Sequence, residues 1–218
     1  MRDSLEALLD QLADTLTLLG HEAAIAMQRA TAALVDCRLR LAEQVISGDT
    51  DIDDLRTQVD EFATQALALQ QPVATDLRAV VAAIHVASDF ERMGGLAKHV
   101  ATSARRRYPD RVVPESVQPL FRSMGEVSVD LARKAAEVVR TRDVQLAAAI
   151  DRGDDEMDRL HRELFAVLMD PGFGGDVQAA VDLTLLGRFY ERYADHAVAV
   201  SRRVVYVVTG TRPGPLAV

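Results

Sequence analysis

The chain repeats itself. A shift of 105 residues carries Gly20 onto Gly125, Ala30 onto Ala135, Leu41 onto Leu146, Gly48 onto Gly153, Asp49 onto Asp154, Asp53 onto Asp158, Leu55 onto Leu160 and Val59 onto Leu164. Past a "DPGFGG" turn the offset becomes 100, and Asp76 falls on Asp176, Val81 on Val181, Glu91 on Glu191 and Arg92 on Arg192. Amphipathic patterning by itself aligns apolar positions. It does not also align Gly, Asp and Glu, so the register marks an internal duplication of one supersecondary unit.

The unit is helical. Leu5, Leu8, Leu9, Leu12, Leu16 and Leu19 follow three- and four-residue steps, and that spacing predicts a first helix from about Asp3 to Ser47. "SGDTDIDDL" ends it, with Gly48 past the helix end and Asp49 or Thr50 capping the next helix. The second helix runs to about Leu69 and is broken at Pro72; a third extends from about Thr75 or Asp76 to Arg106, and Pro109 and Pro114 close the half. The expected architecture is all-α: two pseudo-symmetric three-helix bundles, six long helices, divided into residues 1–110 and 111–218. No flexible Gly/Ser linker separates the halves, so they are expected to pack on each other, with antiparallel neighbours crossing at about 20°.

Composition narrows the function. Aromatics are 5 % and charged residues 27 % of the 218-residue chain, a balance suited to long helices rather than sandwiches. A net charge of −8 argues against nucleic acid as a main ligand, because that binding is driven by cations on phosphates. A single cysteine, Cys37, expected as a small buried apolar residue, and an amphipathic rather than signal-like beginning predict a cytosolic protein. Membrane contact is expected only through partners, since no apolar run reaches the roughly 18 residues of a spanning helix. The basic run Arg105, Arg106, Arg107 reads as a helix C-terminus complementing the dipole, or as a patch for an acidic partner.

No phosphate loop, dinucleotide fingerprint, nucleophile elbow or zinc-protease motif occurs, so no enzyme is expected. Asp49, Asp51 and Asp53 imitate a calcium loop, but Asp54 stands where its glycine must be. These acids, and Asp154, Asp155 and Glu156, are expected to cap helix starts. The candidate site lies elsewhere. "FYERYADHAVAV" places Glu191 and Asp195 four residues apart on one helical face, an arrangement that disfavours an isolated helix. Asp158 belongs to the neighbouring helix. The first copy, "DFERMGGLAKHV", keeps Glu91 but has Gly95 for the second acid, leaving His99 on its own helix and Asp53 on the preceding one as the further candidates. Hard oxygen ligands suit Mg, Mn, Fe or Ca, and a histidine among them also suits Zn. Ion pairing with Arg188 or Arg192, or protein docking, are the competing readings of the same acids.

Two segments resemble the PhoU family: "QQPVATDLRAVVAAIHVASDFERMGGLAKHV", with its Q-P-x-A-x-D-L-R lead into an E-R helix, and "TLLGRFYERYADHAVAVSRRVVYVVTG" as the second copy. The flavour is similar to actinobacterial members. The resemblance implies a two-bundle α fold and a cytosolic negative regulator of phosphate uptake and the starvation response. Such a regulator couples the ATPase of the phosphate ABC transporter to a membrane sensor histidine kinase, and is expected as a homodimer. It further implies metal, iron or zinc above all and otherwise Mn or Mg, held through E-x-x-x-D motifs. Carried over, the metal residues are Glu191, Asp195 and Asp158 in the second half, and Glu91, Asp53 and His99 in a first half weakened by Gly95. The arginines of the two segments, Arg78, Arg92 and Arg192, are the expected partner-binding residues.

Overall fold

The computed structural model describes residues 2–174 and 176–211. Its helices are α1 (Arg2–Asp36), α2 (Leu39–Ser47), α3 (Asp49–Gln70), α4 (Ala74–Arg107), α5 (Gln118–Thr141), α6 (Val144–Met169) and α7 (Val177–Thr209). Among the described residues there is no strand.

The first helix does not reach Ser47. It ends at Asp36, because Cys37 adopts a left-handed φ of 56° and Arg38 turns its N–H back to the Ala33 carbonyl at 3.1 Å. The second half breaks at the matching place: Arg142 has φ 57° and bonds the Val138 carbonyl at 2.8 Å. Gly48 stands just past a helix end as expected, closing α2 with its N–H on the Gln44 carbonyl at 2.9 Å, but α3 begins at the next residue, so it makes only a single-residue bend. Its image Gly153 lies within the unbroken α6. Each half therefore keeps three long helical arms, the middle one bent only in the first half.

This shift in boundaries changes what the acids do. Asp49 does not cap α3; its carboxylate takes Lys98 Nζ at 2.5 Å. Thr50 donates to the Ser47 carbonyl at 3.0 Å. Asp154, Asp155 and Glu156 cap nothing, since α6 has already begun ten residues earlier at Val144. The caps are Asp143, whose Oδ1 accepts from the N–H groups of Gln145 and Leu146 at 2.8 and 3.2 Å, and Asp176, which accepts from Ala179 at 2.7 Å. Cys37 is half-buried at the break rather than in the core, and its thiol donates to the Pro109 carbonyl at 3.3 Å.

Four helices form the centre. Helices α4 and α5 each pack on both α1 and α7; α3 seals the α1–α4 groove and α6 the α5–α7 groove. The duplication is visible in single contacts. A Cβ on Gly20 would stand 2.9 Å from Ala136 Cβ, and one on Gly125 would stand 2.4 Å from Thr31 Cγ2; the 105-residue shift exchanges these two contacts, as a two-fold axis between α1 and α5 requires. Across the diagonal, Tyr193 donates to the Ala23 carbonyl at 2.9 Å and Tyr190 meets Thr31 at 2.9 Å. Both tyrosines are fully buried, Tyr190 edge-on to Phe121 with ring centroids 5.9 Å apart, and burial of a large apolar side chain stabilises by roughly 1.5–3 kcal/mol. The halves share one continuous core, and the expected division after residue 110 falls in the connection between α4 and α5.

Candidate functional site

The second-half face is assembled where α6 and α7 pack on each other. Gly187 makes that approach: a Cβ there would lie 2.5 Å from Leu164 Cδ2 and 3.2 Å from His161 Cδ2. One helical turn further along α7 stands Glu191, and one more turn brings Asp195. Facing them on α6, Asp154 and Asp158 repeat the same four-residue spacing. Sequence reasoning found three of these four carboxylates and assigned Asp154 to a cap. The signal that finds it is the spacing itself, because Asp154 precedes Asp158 as Glu191 precedes Asp195.

The four acids feel one another. Burial, then the charges of Asp195 and Asp158 and of Asp151 and Asp155, push the Asp154 carboxyl up to about 6. Glu191 is raised by burial and next by Asp195, against the opposing pull of Arg188. Asp195 is raised by burial, with Arg188 and His196 pulling it down and Asp158 adding to the rise. Arg188, three residues before Glu191 on the same helix, pairs with Glu191 Oε1. The other oxygen, Oε2, is buried without a hydrogen-bond partner, and so is His161 Nε2. Burial and Arg188 hold the His161 imidazole below its usual range. Among the described residues, no three of His, Cys, Asp and Glu stand in an arrangement that holds a metal with the side chains as they lie. The face is thus a group of neighbouring acids, Asp158 among them exposed, rather than a formed coordination shell.

The first-half face is arranged otherwise. Arg56 Nε of α3 lies 2.9 Å from Glu91 Oε2, off the N–H axis, and Arg56 Nη1 lies 3.4 Å from Asp60. Asp53 is exposed and its backbone carbonyl accepts from Thr57. His99 does not join Glu91; it stacks on Phe189 of α7, ring centroids 5.2 Å apart. Of the expected arginines, Arg92 and Arg192 are exposed, while Arg78 is half-buried and donates to Thr75 Oγ1 at 2.9 Å. The basic run ends α4 as expected, and Arg106 and Arg107 also reach Asp182 of α7 at 3.4 and 2.8 Å.

One polar centre escaped the sequence reading. Asp89 of α4, buried between the halves, meets His196 Nδ1 at 3.1 Å and accepts from Arg203 Nε at 2.8 Å. His196 adjoins Asp195 in the chain, so the inter-half contact and the acidic face share one turn of α7.

Comparison with known proteins gives a consistent picture. The family model described as the PhoU domain matches twice, over residues 16–104 and 121–204. The phosphate-specific transport system accessory protein PhoU homolog 1 of Mycobacterium leprae is 51 % identical over 213 residues, 98 % of this chain and 96 % of its own. PhoU homolog 2 of Mycobacterium tuberculosis is likewise 51 % identical, over 98 % of this chain and 100 % of its own. The crystal structure of PhoU from Pseudomonas aeruginosa is similar with a TM-score of 0.82 at 26 % identity, covering 94 % of this chain and 99 % of that one. The phosphate transport system regulatory protein PhoU from Streptococcus pneumoniae shares the fold with a TM-score of 0.86 at 21 % identity, over 97 % of this chain and 100 % of that one.

Proposed function

The chain belongs to the PhoU family, and from that membership we propose that it is an accessory regulator of phosphate transport that restrains phosphate uptake and the starvation response. It acts as an adaptor rather than a catalyst, joining the ATPase of the phosphate transporter to a membrane sensor histidine kinase. The observation that carries this reading is the likeness over 98 % of the chain to proteins named as phosphate transport accessory proteins. Among the described residues no helix is long and apolar enough to cross a membrane, which accords with a cytoplasmic adaptor that reaches the membrane through its partners. The exposed Arg92 and Arg192 and the half-buried Arg78 are the proposed partner contacts, and a homodimer is the proposed assembly.

The test is a phosphate-response reporter in a deletion strain, with co-purification of the transporter ATPase and the kinase. Deletion is expected to release the response at high phosphate, and the tagged protein is expected to retain both partners. An unchanged reporter together with no association removes the adaptor reading.

A second reading has its own observation. We infer that the second-half face takes a cation, because Asp154, Asp158, Glu191 and Asp195 lie near enough for their charges to act on one another and Glu191 Oε2 is buried and unpartnered. Glu191, Asp195, Asp158 and Asp154 are a hard-oxygen set suited to Mg, Mn or Fe, with Zn requiring His161 nearby. A bound cation would supply the positive charge that this face lacks. Elemental analysis of chelator-free protein decides it: equal metal in wild type and Glu191→Gln/Asp195→Asn sinks the assignment.

A further inference from the structure

We propose that the first-half face carries its own cations, Arg56 and Lys98, where a metal would otherwise sit, so that cation binding is confined to the second half. The duplication permits a position-by-position comparison. Asp49, Asp53, Glu91 and Gly95 in the first half correspond to Asp154, Asp158, Glu191 and Asp195 in the second. Arg56 corresponds to His161, Lys98 to Val198, and Ser88 to Arg188. At these positions the first face therefore sets three carboxylates against two cations, and the second sets four against one.

The geometry gives the substitutions their effect. Arg56 crosses from α3 to Glu91 on α4 at 2.9 Å, and Lys98 crosses back from α4 to Asp49 on α3 at 2.5 Å. Of the three acids, Glu91 and Asp49 are consequently tied by a cation from the opposite helix, and Asp53 is exposed to solvent. In the second face Arg188 belongs to the same helix as its partner Glu191 and lies at the exposed rim; the cation that does cross from α7 to α6, Arg202, pairs with Asp151 at 3.6 Å, so among the described residues no ion pair ties Asp154, Asp158 or Asp195 to the opposite helix. The first face is thus charge-compensated across its two helices and the second is not, while neither presents a formed coordination shell with its side chains as they lie. A resident guanidinium and ammonium also excludes a divalent ion electrostatically, because like charges a few ångströms apart repel strongly where solvent is partly excluded. The missing acid is not a steric matter: a Cβ at Gly95 would meet nothing within 4 Å.

This inference deepens the cation reading of the second face, but its decisive measurements are made on the first. Mn²⁺ binding is followed by the EPR signal of free ion during titration of the full chain, with circular dichroism melts to confirm folding. Glu91→Gln is expected to leave Mn²⁺ uptake as in wild type, and so is Gly95→Asp alone, since Arg56 and Lys98 remain. The variant Arg56→His/Gly95→Asp/Lys98→Val, which gives the first face the residues of the second, is expected to gain a Mn²⁺ site that further Glu91→Gln abolishes. Loss of uptake on Glu91→Gln in the native background overturns the proposal. So does a gain with Gly95→Asp alone, or no gain in a folded triple variant. If the triple variant melts early, the Glu91→Gln comparison in the native chain decides. Failure of the second-face reading shows separately, as uptake unaffected by Glu191→Gln/Asp195→Asn.

Discussion

Arg203 of α7 donates to the buried carboxylate of Asp89 on α4 at 2.8 Å, and the other carboxylate oxygen meets His196. This is a charged contact between the two halves in a predominantly apolar core. Asp89→Ala leaves Arg203 and His196 without their acceptor at a site only 8 % exposed. Hydrogen bonds to charged groups are worth roughly 1.5–3 kcal/mol, and Arg203 recovers part of its loss from water. We expect Asp89→Ala to cost about 2 kcal/mol and, in a chain of this size, to lower the melting temperature by roughly 4–8 °C. Lys134→Ala, which removes an exposed same-helix pair with Asp130, is expected to stay within about 0.5 kcal/mol of wild type. Equal effects of the two substitutions in thermal melts would deny Asp89 its special role.

Two glycines respond in opposite directions to alanine. At Gly125 the new methyl would lie 2.4 Å from Thr31 Cγ2 and 2.6 Å from its Oγ1, and Thr31 is buried and bonded to Tyr190. Turning a buried β-branched neighbour to its other helical rotamer would give up the Tyr190 contact, so Gly125→Ala is expected to cost about 1–3 kcal/mol. At Gly95 the methyl meets nothing, and Gly95→Ala is expected to gain up to about 1 kcal/mol of helix propensity. Urea denaturation of the two variants checks the pair; destabilisation at Gly95 would mean that its backbone freedom is used.

The sequence made the helical class and the duplication legible because those rest on repeated apolar spacing, which dominates packing. It misplaced the first break because the left-handed position is filled by Cys37, and in the second copy by Arg142. Glycine is the residue that advertises such a turn, and Gly48 advertised a bend of lesser consequence. The site was legible as far as one helix could show it, in Glu191 and Asp195. Cross-helix partners have no local signature: the ties of Arg56 to Glu91 and Lys98 to Asp49, and the meeting of Asp89 with Arg203, depend on how α3, α4 and α7 are set against one another.

The break at Arg142 carries its own expectation. A non-glycine residue at φ 57° bears a steric cost of roughly 1–2 kcal/mol that glycine does not, although glycine also gains more freedom in the unfolded chain. Arg142 is exposed and its N–H already closes α5. Arg142→Gly is therefore expected to stabilise by about 0.5–1 kcal/mol, while Arg142→Val, β-branched, is expected to destabilise. A chemical melt showing the reverse order would place the break's stability in the arginine side chain rather than in the backbone.

The acidic face makes stability depend on pH in an unusual direction. A carboxyl whose folded value lies above its unfolded one binds its proton more tightly in the folded chain, so the stability it contributes falls as pH rises between the two values. For Asp154 the window runs from its ordinary 3.8 to about 6, and the raised Glu191 and Asp195 act with the same sign. Asparagine at 154 mimics the protonated acid at every pH. Asp154→Asn is thus expected to match wild type near the lower end of the window and to exceed it above the upper end. The gain there is about 1 kcal/mol, once solvent screening at this half-exposed position is allowed for. Paired carboxylates elsewhere, such as Asp182 with Arg107, lose stability on acidification, so the informative quantity is the difference between variant and wild type in urea melts across the window. A difference that is constant with pH, or that grows toward acid, would show that Asp154 ionises without cost in the folded chain and that the four carboxylates do not act as one electrostatic unit.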